Sequence, residues 1–474
     1  MPSTREEQVN PTHRKQRVWD DKGGVYELGK RIAEGGQGIV CPTQNPRYLV
    51  KVSKHPDSDP RAEAWRKQIA AVHRMPIREN DLPIAMPVAL IIKPRVGYVM
   101  ELMDGLIPFE EVLNATHAAA TPAESAAIFQ SSGGLARRLR LLARLARVMA
   151  KLHGLGIAHG DLSPNNVFVS SSIEHAQVWL IDCDNLSYAV RDSSLKIYTP
   201  DYGAPEIFRG ELGISTYTDI WSFAVMAFQL LTLLHPFKNG ELVDSDSDLE
   251  DAASRGEIAW IDHASDDSNR GLNGIARVAV LTPRLSALFE KCFNDGLLVP
   301  EQRPVMAEWA EAFEAAAAAQ VICDVSQDGC GSTFLWEKEL TCPFCDVAQE
   351  SHSTVRLEHR IYAPSHELME GATAADKWIA TGHHQVIGTQ PTTLRSSPPG
   401  TALHMESDVI ATLWIEAGEL LIEAKKGAAL QLQTGGIKGR LSIRQRTILK
   451  KKGVRMAIHA GQMDQLHNVW LFSW

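Results

Sequence analysis

A chain of 474 residues exceeds what one ordinary core holds, so two or three domains are expected. Hydrophobic residues make up 44% and charged residues 22%, the balance of a soluble globular protein. The net charge of -9 argues against nucleic acid or an anionic membrane as the main partner. Seven cysteines, four of them between 323 and 345, fit a reducing cytosol with one metal site better than a disulfide framework.

The first 25 residues contain no apolar signal segment and read as a flexible arm, which fits a cytoplasmic protein. Residues 26–52 then read as strand, glycine turn, strand. The turn is Ala33-Glu34-Gly35-Gly36-Gln37-Gly38-Ile39-Val40. Glycines let backbone amides approach phosphates with no side chain in between, although such a turn by itself is equally an ordinary hairpin. Tyr48-Leu49-Val50-Lys51-Val52 follows, a strand pattern with a lysine among apolar neighbours. Desolvation destabilises an isolated lysine there, and a phosphate together with an acidic partner offsets that cost. The candidate partner is Glu63, twelve residues on, in the helical stretch from Arg61 to Met75.

Leu135, Leu139, Leu142, Leu145, Val148, Met149 and Leu152 recur at helical spacing and predict a helix. It leads to His159-Gly160-Asp161-Leu162-Ser163-Pro164-Asn165-Asn166. Here an acid and an amide stand five residues apart, a pairing able to orient a hydroxyl and hold a metal beside a phosphate chain. Two short strands are expected at Val167-Phe168-Val169 and Val178-Trp179-Leu180-Ile181. Asp182, twenty-one residues after Asp161, closes the second and is a further metal ligand. The run beginning Asp219-Ile220-Trp221 is apolar on nearly all sides and predicts a buried helix. Its apolar part, Trp221 to Leu234, is about 14 residues long, too short to span a bilayer.

In this order, these features resemble the protein kinase superfamily over roughly residues 26–316. The resemblance implies ATP-dependent phosphoryl transfer. Gly35, Gly36, Gly38 and Val40 would cover the nucleotide, and Lys51 would pair with its alpha and beta phosphates, held by Glu63. Asp161 would orient the acceptor hydroxyl, and Asn166 and Asp182 would bind Mg²⁺ or Mn²⁺. Ala204-Pro205-Glu206 would close the activation segment. Asp219 would brace the catalytic loop, and Glu206 and Arg303 would form a structural ion pair. Thr199, within Tyr198-Thr199-Pro200-Asp201-Tyr202-Gly203, points to the serine/threonine class with a protein substrate.

Three departures from the family stand out. Gly160 replaces the arginine that receives activation-loop phosphate, so a phosphate on Ser193, Ser194 or Thr199 has no obvious local partner. The domain is then constitutively folded or gated by a partner. Ser163, on the substrate side, replaces a lysine, which keeps a small-molecule kinase as an alternative. In Asp182-Cys183-Asp184, Cys183 reads as an apolar filler. Asp184 is either an added metal ligand or, the preferred reading, a solvent-facing or cap-forming carboxylate. A nucleotide-binding pseudokinase scaffold is the rival from a different class.

Glu311 to Gln320, with five consecutive alanines, reads as the end of the last kinase helix. Next come Cys323, Cys330 and the knuckle Cys342-Pro343-Phe344-Cys345. A tetrahedral thiolate site for structural Zn²⁺ suits this set, with Asp324, Asp328 or His352 as possible substitutes for one thiol. No catalytic helix begins at Cys342, which disfavours a redox pair. Beyond residue 354, short alternating runs such as Val409 to Ile415, Leu420 to Ala424 and Val469 to Trp474 predict an all-β domain. The basic stretch Lys438 to Lys452, with Arg440, Arg444 and Arg446, is either a surface for an acidic partner or a solvated strand edge. The expected architecture is therefore α+β. A flexible arm at 1–25 precedes a bilobal kinase-like domain at 26–320 and a zinc-ribbon-like module at 321–350. An all-β sandwich or barrel at 354–474 follows, as a partner or regulatory module. The arrangement resembles bacterial multidomain kinases of stress or signalling operons, whose operon-encoded proteins would be partners.

Overall fold

The computed structural model describes residues 16–474 apart from 36–37, 118–120, 189–196, 272, 338, 351–352, 365–372, 374, 376, 436–438 and 444. Gly36, Ser193, Ser194, His352, Lys438 and Arg444 lie outside the described residues. No described helix is long and apolar enough to cross a membrane.

The chain opens with a seven-stranded antiparallel sheet. Its strands are β1 (Arg17–Asp20), β2 (Val25–Glu27), β3 (Ala33–Glu34), β4 (Gly38–Pro42), β5 (Tyr48–Ser53), β6 (Ala89–Lys93) and β7 (Gly97–Glu101), in the order β2-β1-β6-β7-β5-β4-β3. The arm expected over 1–25 is thus too long, because β1 already pairs with both β2 and β6. Val18 is fully buried in the sheet core, and Asp20 closes the first hairpin by accepting from the Lys22 and Gly24 amides at 2.9 and 2.6 Å. An isolated flexible arm has neither anchor. Helix α1 (Pro60–His73) starts at Asp59, whose carboxylate caps the Arg61 amide at 2.9 Å. Its buried face is Ala62, Trp65, Ile69 and Val72, spaced three, four and three residues apart.

Below the sheet lies a helical lobe. The helix Gly134–Gly154 buries the predicted leucine stripe, and the helix Thr216–Thr232 is buried along nearly its whole length. Phe223, Phe228, Phe289, Phe293, Trp309 and Phe313 interlock around them at ring separations of 4.9–6.2 Å. The last helix of this lobe is Met306–Ala318. A two-stranded hairpin, Gln320–Ile322 with Thr333–Leu335, then carries Cys323 and Cys330 in its connecting loop, and Cys342 and Cys345 follow in the turn closed by the Thr341–Ala348 bridge.

The C-terminal part is a sandwich of antiparallel sheets, one six-stranded and one four-stranded. Leu357, Ile458 and Trp470 from one sheet meet Leu394, Leu413, Leu420 and Ile422 from the other in a single core, which selects the sandwich over the barrel. The sandwich rests on the helix Met306–Ala318. Gly400 sits there at φ +81°, where a Cβ would come within 2.8 Å of the Ala315 methyl. The basic stretch is partly spent on its own domain. Arg440 lies over Tyr362, Arg446 over Trp414 and Lys451 over Trp474, at 4.9, 5.6 and 5.3 Å.

Candidate active site

Lys51 stands on β5, between β4 and β7, with Val50 and Val52 buried beside it. The lysine is only 5% exposed. Val40 faces it across the β4–β5 ladder, and Gly38 lies against its stem, where a Cβ would sit 3.1 Å from the Lys51 Cγ. The Gly35 amide donates to the Gly38 carbonyl at 3.0 Å and closes the glycine turn.

The Lys51 ammonium donates to two carboxylates: to Asp182, and to Asp184 at 2.6 Å. Burial works to lower its pKa, but the charges of Asp184 and Asp182 outweigh burial and hold the ammonium above its ordinary range. The two acids differ. The Asp182 side chain is 32% exposed and the Asp184 side chain 1%. Asp184 Oδ2 also accepts from the Trp65 indole of α1 at 3.1 Å, and the buried Tyr98 hydroxyl is a further hydrogen-bond partner of the carboxylate. Burial raises the Asp184 pKa, Lys51 pulls against it, and the Asp182 charge raises it further.

The expectation that Glu63 holds Lys51 is therefore corrected. Glu63 is exposed and pairs with Arg66 at 3.1 Å. The buried stripe of α1 runs through Ala62 and Trp65, and Glu63 turns away from it by about 100°, one residue of helix. The same stripe carries a signal that was available in the sequence, because it brings Trp65 inward to Asp184. The reading of Asp184 as a solvent-facing carboxylate is corrected as well. Cys183 is the buried filler expected, its thiol 3.4 Å from the Ala85 carbonyl.

The catalytic-loop candidates are braced from below. Asp219 accepts from the backbone amides of His159 and Gly160 at 2.7 and 2.9 Å and sits 3.0 Å from the His153 ring. Gly160 has φ +84°, and a Cβ there would press within 3.0 Å of the Asn185 carbonyl and the Ile214 side chain. The local geometry thus favours glycine at this position. Asp161 accepts from the Thr199 hydroxyl at 2.8 Å. The Asn166 amide donates to the Asp161 carbonyl at 2.8 Å. With its nitrogen committed, Asn166 has Oδ1 left to offer a metal. Ser163 is corrected: it is fully buried, with no partner for its hydroxyl among the described residues, and does not face a substrate. Glu206 and Arg303 form the expected pair, with two parallel bonds of 2.7 and 2.8 Å in the lobe interior.

The four cysteine sulfurs all lie within 4.8 Å of one another. Cys323 and Cys345 are 3.7 Å apart, as are Cys330 and Cys342. A tetrahedron with Zn–S bonds of about 2.3 Å has edges of about 3.8 Å, so the spacing fits a four-thiolate metal site. A disulfide needs about 2.05 Å.

Residues 98–310 match the family described as the protein kinase domain. The chain is similar to CBL-interacting protein kinase 22 of Oryza sativa subsp. japonica, 26% identical over 243 residues, covering 46% of this chain and 51% of that one. It is also similar to serine/threonine-protein kinase pkn2 of Myxococcus xanthus, 34% identical over 108 residues, which cover 21% of this chain and 13% of that one. Myosin light chain kinase A of Dictyostelium discoideum is 25% identical over 220 residues, covering 45% and 68%. Residues 98–310 are thus similar to a protein kinase domain, and the chain is similar to serine/threonine kinases over that part, with a metal-competent cysteine cluster downstream. It spans about half the length of the first of these relatives and a small part of the second.

Proposed function

We propose that this protein transfers the terminal phosphoryl group of ATP to serine or threonine hydroxyls of a protein substrate. One observation carries the reading: the Ile181 amide donates to the Asn166 carbonyl at 2.9 Å. That bond sets the Lys51–Asp182 pair beside the Asp161–Asn166–Thr199 group. Phosphoryl transfer asks a protein mainly for positioning and charge neutralisation. Lys51 and the amides around Gly35, Gly36 and Gly38 hold the phosphates. Asp161, fixed by Thr199, accepts the hydrogen bond of the incoming hydroxyl and takes its proton as the new P–O bond forms. Asn166 Oδ1 and Asp182 suit Mg²⁺ or Mn²⁺, which when bound neutralises phosphate charge. Cys323, Cys330, Cys342 and Cys345 hold a structural Zn²⁺. The glycine at 160 supports activity without phosphorylation of the activation loop. The sandwich serves as a partner or regulatory module in bacterial signalling in the cytoplasm, with operon-encoded proteins as its partners.

The test is transfer from labelled ATP with magnesium, comparing the wild type with Asp161→Asn. Wild-type label on serine or threonine is expected, reduced at least about 100-fold in the variant, with nucleotide affinity kept. Equal turnover in both forms rejects the role of Asp161. The absence of a basic residue in place of Ser163 favours a second reading, a small-molecule acceptor. ATP turnover with no protein label across a panel of substrates would select it.

A further inference from the structure

We propose that Asp184 is the resident counter-ion of Lys51, a positioning residue that ties the ammonium through Trp65 to helix α1, while Asp182 is the exchangeable carboxylate. The proposal rests on the reading of this cleft as a nucleotide site. Lys51 reaches two acids, and a lysine that must turn toward phosphates cannot keep both. Their surroundings divide the labour. Asp182 is a third exposed, just ahead of the 3-10 turn Cys183–Asn185, where an incoming cation can reach its carboxylate from solvent. Asp184 is closed off from solvent, with its Oδ2 shared between the Lys51 ammonium at 2.6 Å and the Trp65 indole at 3.1 Å. Moving it would strand a buried carboxylate without its donors. Around it stand Tyr98, whose ring is 6.1 Å from that of Trp65, and the fully buried Cys183. Neither brings a positive charge, so Lys51 is the cation that Asp184 has among the described residues.

The consequence is a changed linkage between helix and lysine. α1 reaches the site through a neutral indole that grips the counter-ion, and a second bond, from the Gln68 amide to the Leu186 carbonyl at 2.9 Å, fastens the helix to the same segment. The helix then sets the position of Asp184, and Asp184 sets that of Lys51. Glu63 has no part in it.

The experiment uses the full chain in wild-type, Asp184→Asn, Trp65→Phe and Glu63→Gln forms. Two quantities are measured: the pH profile of Lys51 acylation by a small amine-reactive ester, read by peptide mass spectrometry, and ADP affinity with magnesium by calorimetry. Asp184→Asn is expected to move the acylation profile to lower pH by at least about one unit, since a charge partner of the ammonium is lost, and to weaken ADP binding at least tenfold. Trp65→Phe should shift both in the same direction by less, and Glu63→Gln should match the wild type within twofold. An unmoved profile in Asp184→Asn, or an equal shift in Glu63→Gln, overturns the proposal. Lost magnesium dependence with an unmoved profile would make Asp184 a metal ligand and also overturns it. If Asp184→Asn loses its cooperative thermal transition, Trp65→Phe decides, and a wild-type profile there overturns the assignment. A wild type that transfers no phosphate but whose Lys51 profile responds to Asp184→Asn defeats the kinase reading and leaves this one standing.

Discussion

Arg303 at the foot of the helical lobe and Lys51 under the glycine turn are both buried cations, and the chain neutralises them in opposite ways. Arg303 meets one carboxylate, Glu206, in two parallel bonds, and its other N–H groups go to the carbonyls of Gly296 and Tyr217 at 2.9 Å. One positive charge faces one negative charge, and Trp221 lies 4.8 Å beneath the guanidinium. Lys51 faces two carboxylates, Asp182 and Asp184. The first arrangement is balanced within the chain. The second carries surplus negative charge, which a divalent cation would balance if the cleft is the nucleotide site proposed above. A buried pair that is charge-matched and saturated with hydrogen bonds acts as a clamp, and one left with excess charge of a single sign marks a site. The cysteine quartet is a second gathering of like groups, in which burial raises the Cys323 and Cys342 thiols and a bound metal would take the four sulfurs as thiolates.

That rule is open to direct tests. The largest effect belongs to the cysteine quartet, because structural zinc supplies on the order of 10 kcal/mol of local folding energy in small modules. Freshly purified protein should carry one zinc per chain by elemental analysis. Chelation should raise hydrogen exchange across residues 321–350 and leave the helical lobe protected. Negligible zinc in the fresh protein removes the thiolate site from the comparison. Next in size is Glu206→Gln, which strands the Arg303 charge in the interior. It should destabilise the domain by about 3–5 kcal/mol in urea unfolding, with ADP affinity unchanged while the protein is folded. A loss below about 1 kcal/mol, the range of exposed pairs, would mean that the clamp is not one.

The clamp, between residues 97 apart in the chain, was legible only through the resemblance to protein kinases, whereas the loop of Asp161 and Asn166 stands out by its own spacing. Asp161, Asn166 and Asp182 lie at short chain distances on tight loops, and Asp219 opens a helix whose continuous apolar character places it inside. The cysteine quartet was legible for the same reason, since thiols announce their chemistry by spacing. The Lys51 partner was not. It depends on which face of α1 turns inward, and acid type alone pointed to Glu63. The stripe through Ala62, Trp65, Ile69 and Val72 held the answer, and it reads only when the helix is built before the partner is chosen. Strand Val355–Tyr362 was missed because Arg356, Glu358 and Arg360 alternate with its buried residues and mask it as a loop. Strand Arg446–Lys450 lies in the basic stretch at the edge of the four-stranded sheet, the strand edge that was one of the two readings of that stretch.

The smallest expected effect concerns buried bases that the chain keeps neutral, a third way to manage charge. His235 is buried in the helical lobe, where its Nδ1 accepts from the Phe237 amide at 3.1 Å, which leaves Nε2–H to donate to the Asp201 carbonyl at 3.0 Å. Burial lowers its pKa to about 4, and burial likewise lowers His359 in the sandwich to about 4 and His459 to about 3. Unfolded histidine takes up its proton near pH 6.5. Between that pH and about 4 the unfolded chain binds protons that the folded chain refuses, so stability is full above pH 6.5 and declines as pH falls. Each such histidine contributes at most about 1.4 kcal/mol per pH unit in that window, less where it is only partly buried. Urea unfolding at pH 7 and pH 5 should therefore show a loss on acidification, and His235→Asn should flatten the dependence of the helical lobe alone. An unchanged slope in that variant would mean that His235 is protonated in the folded protein. The lobe would then hold one more buried cation, beside Asp201 and Lys238, in a setting that neither the clamp nor the cleft describes.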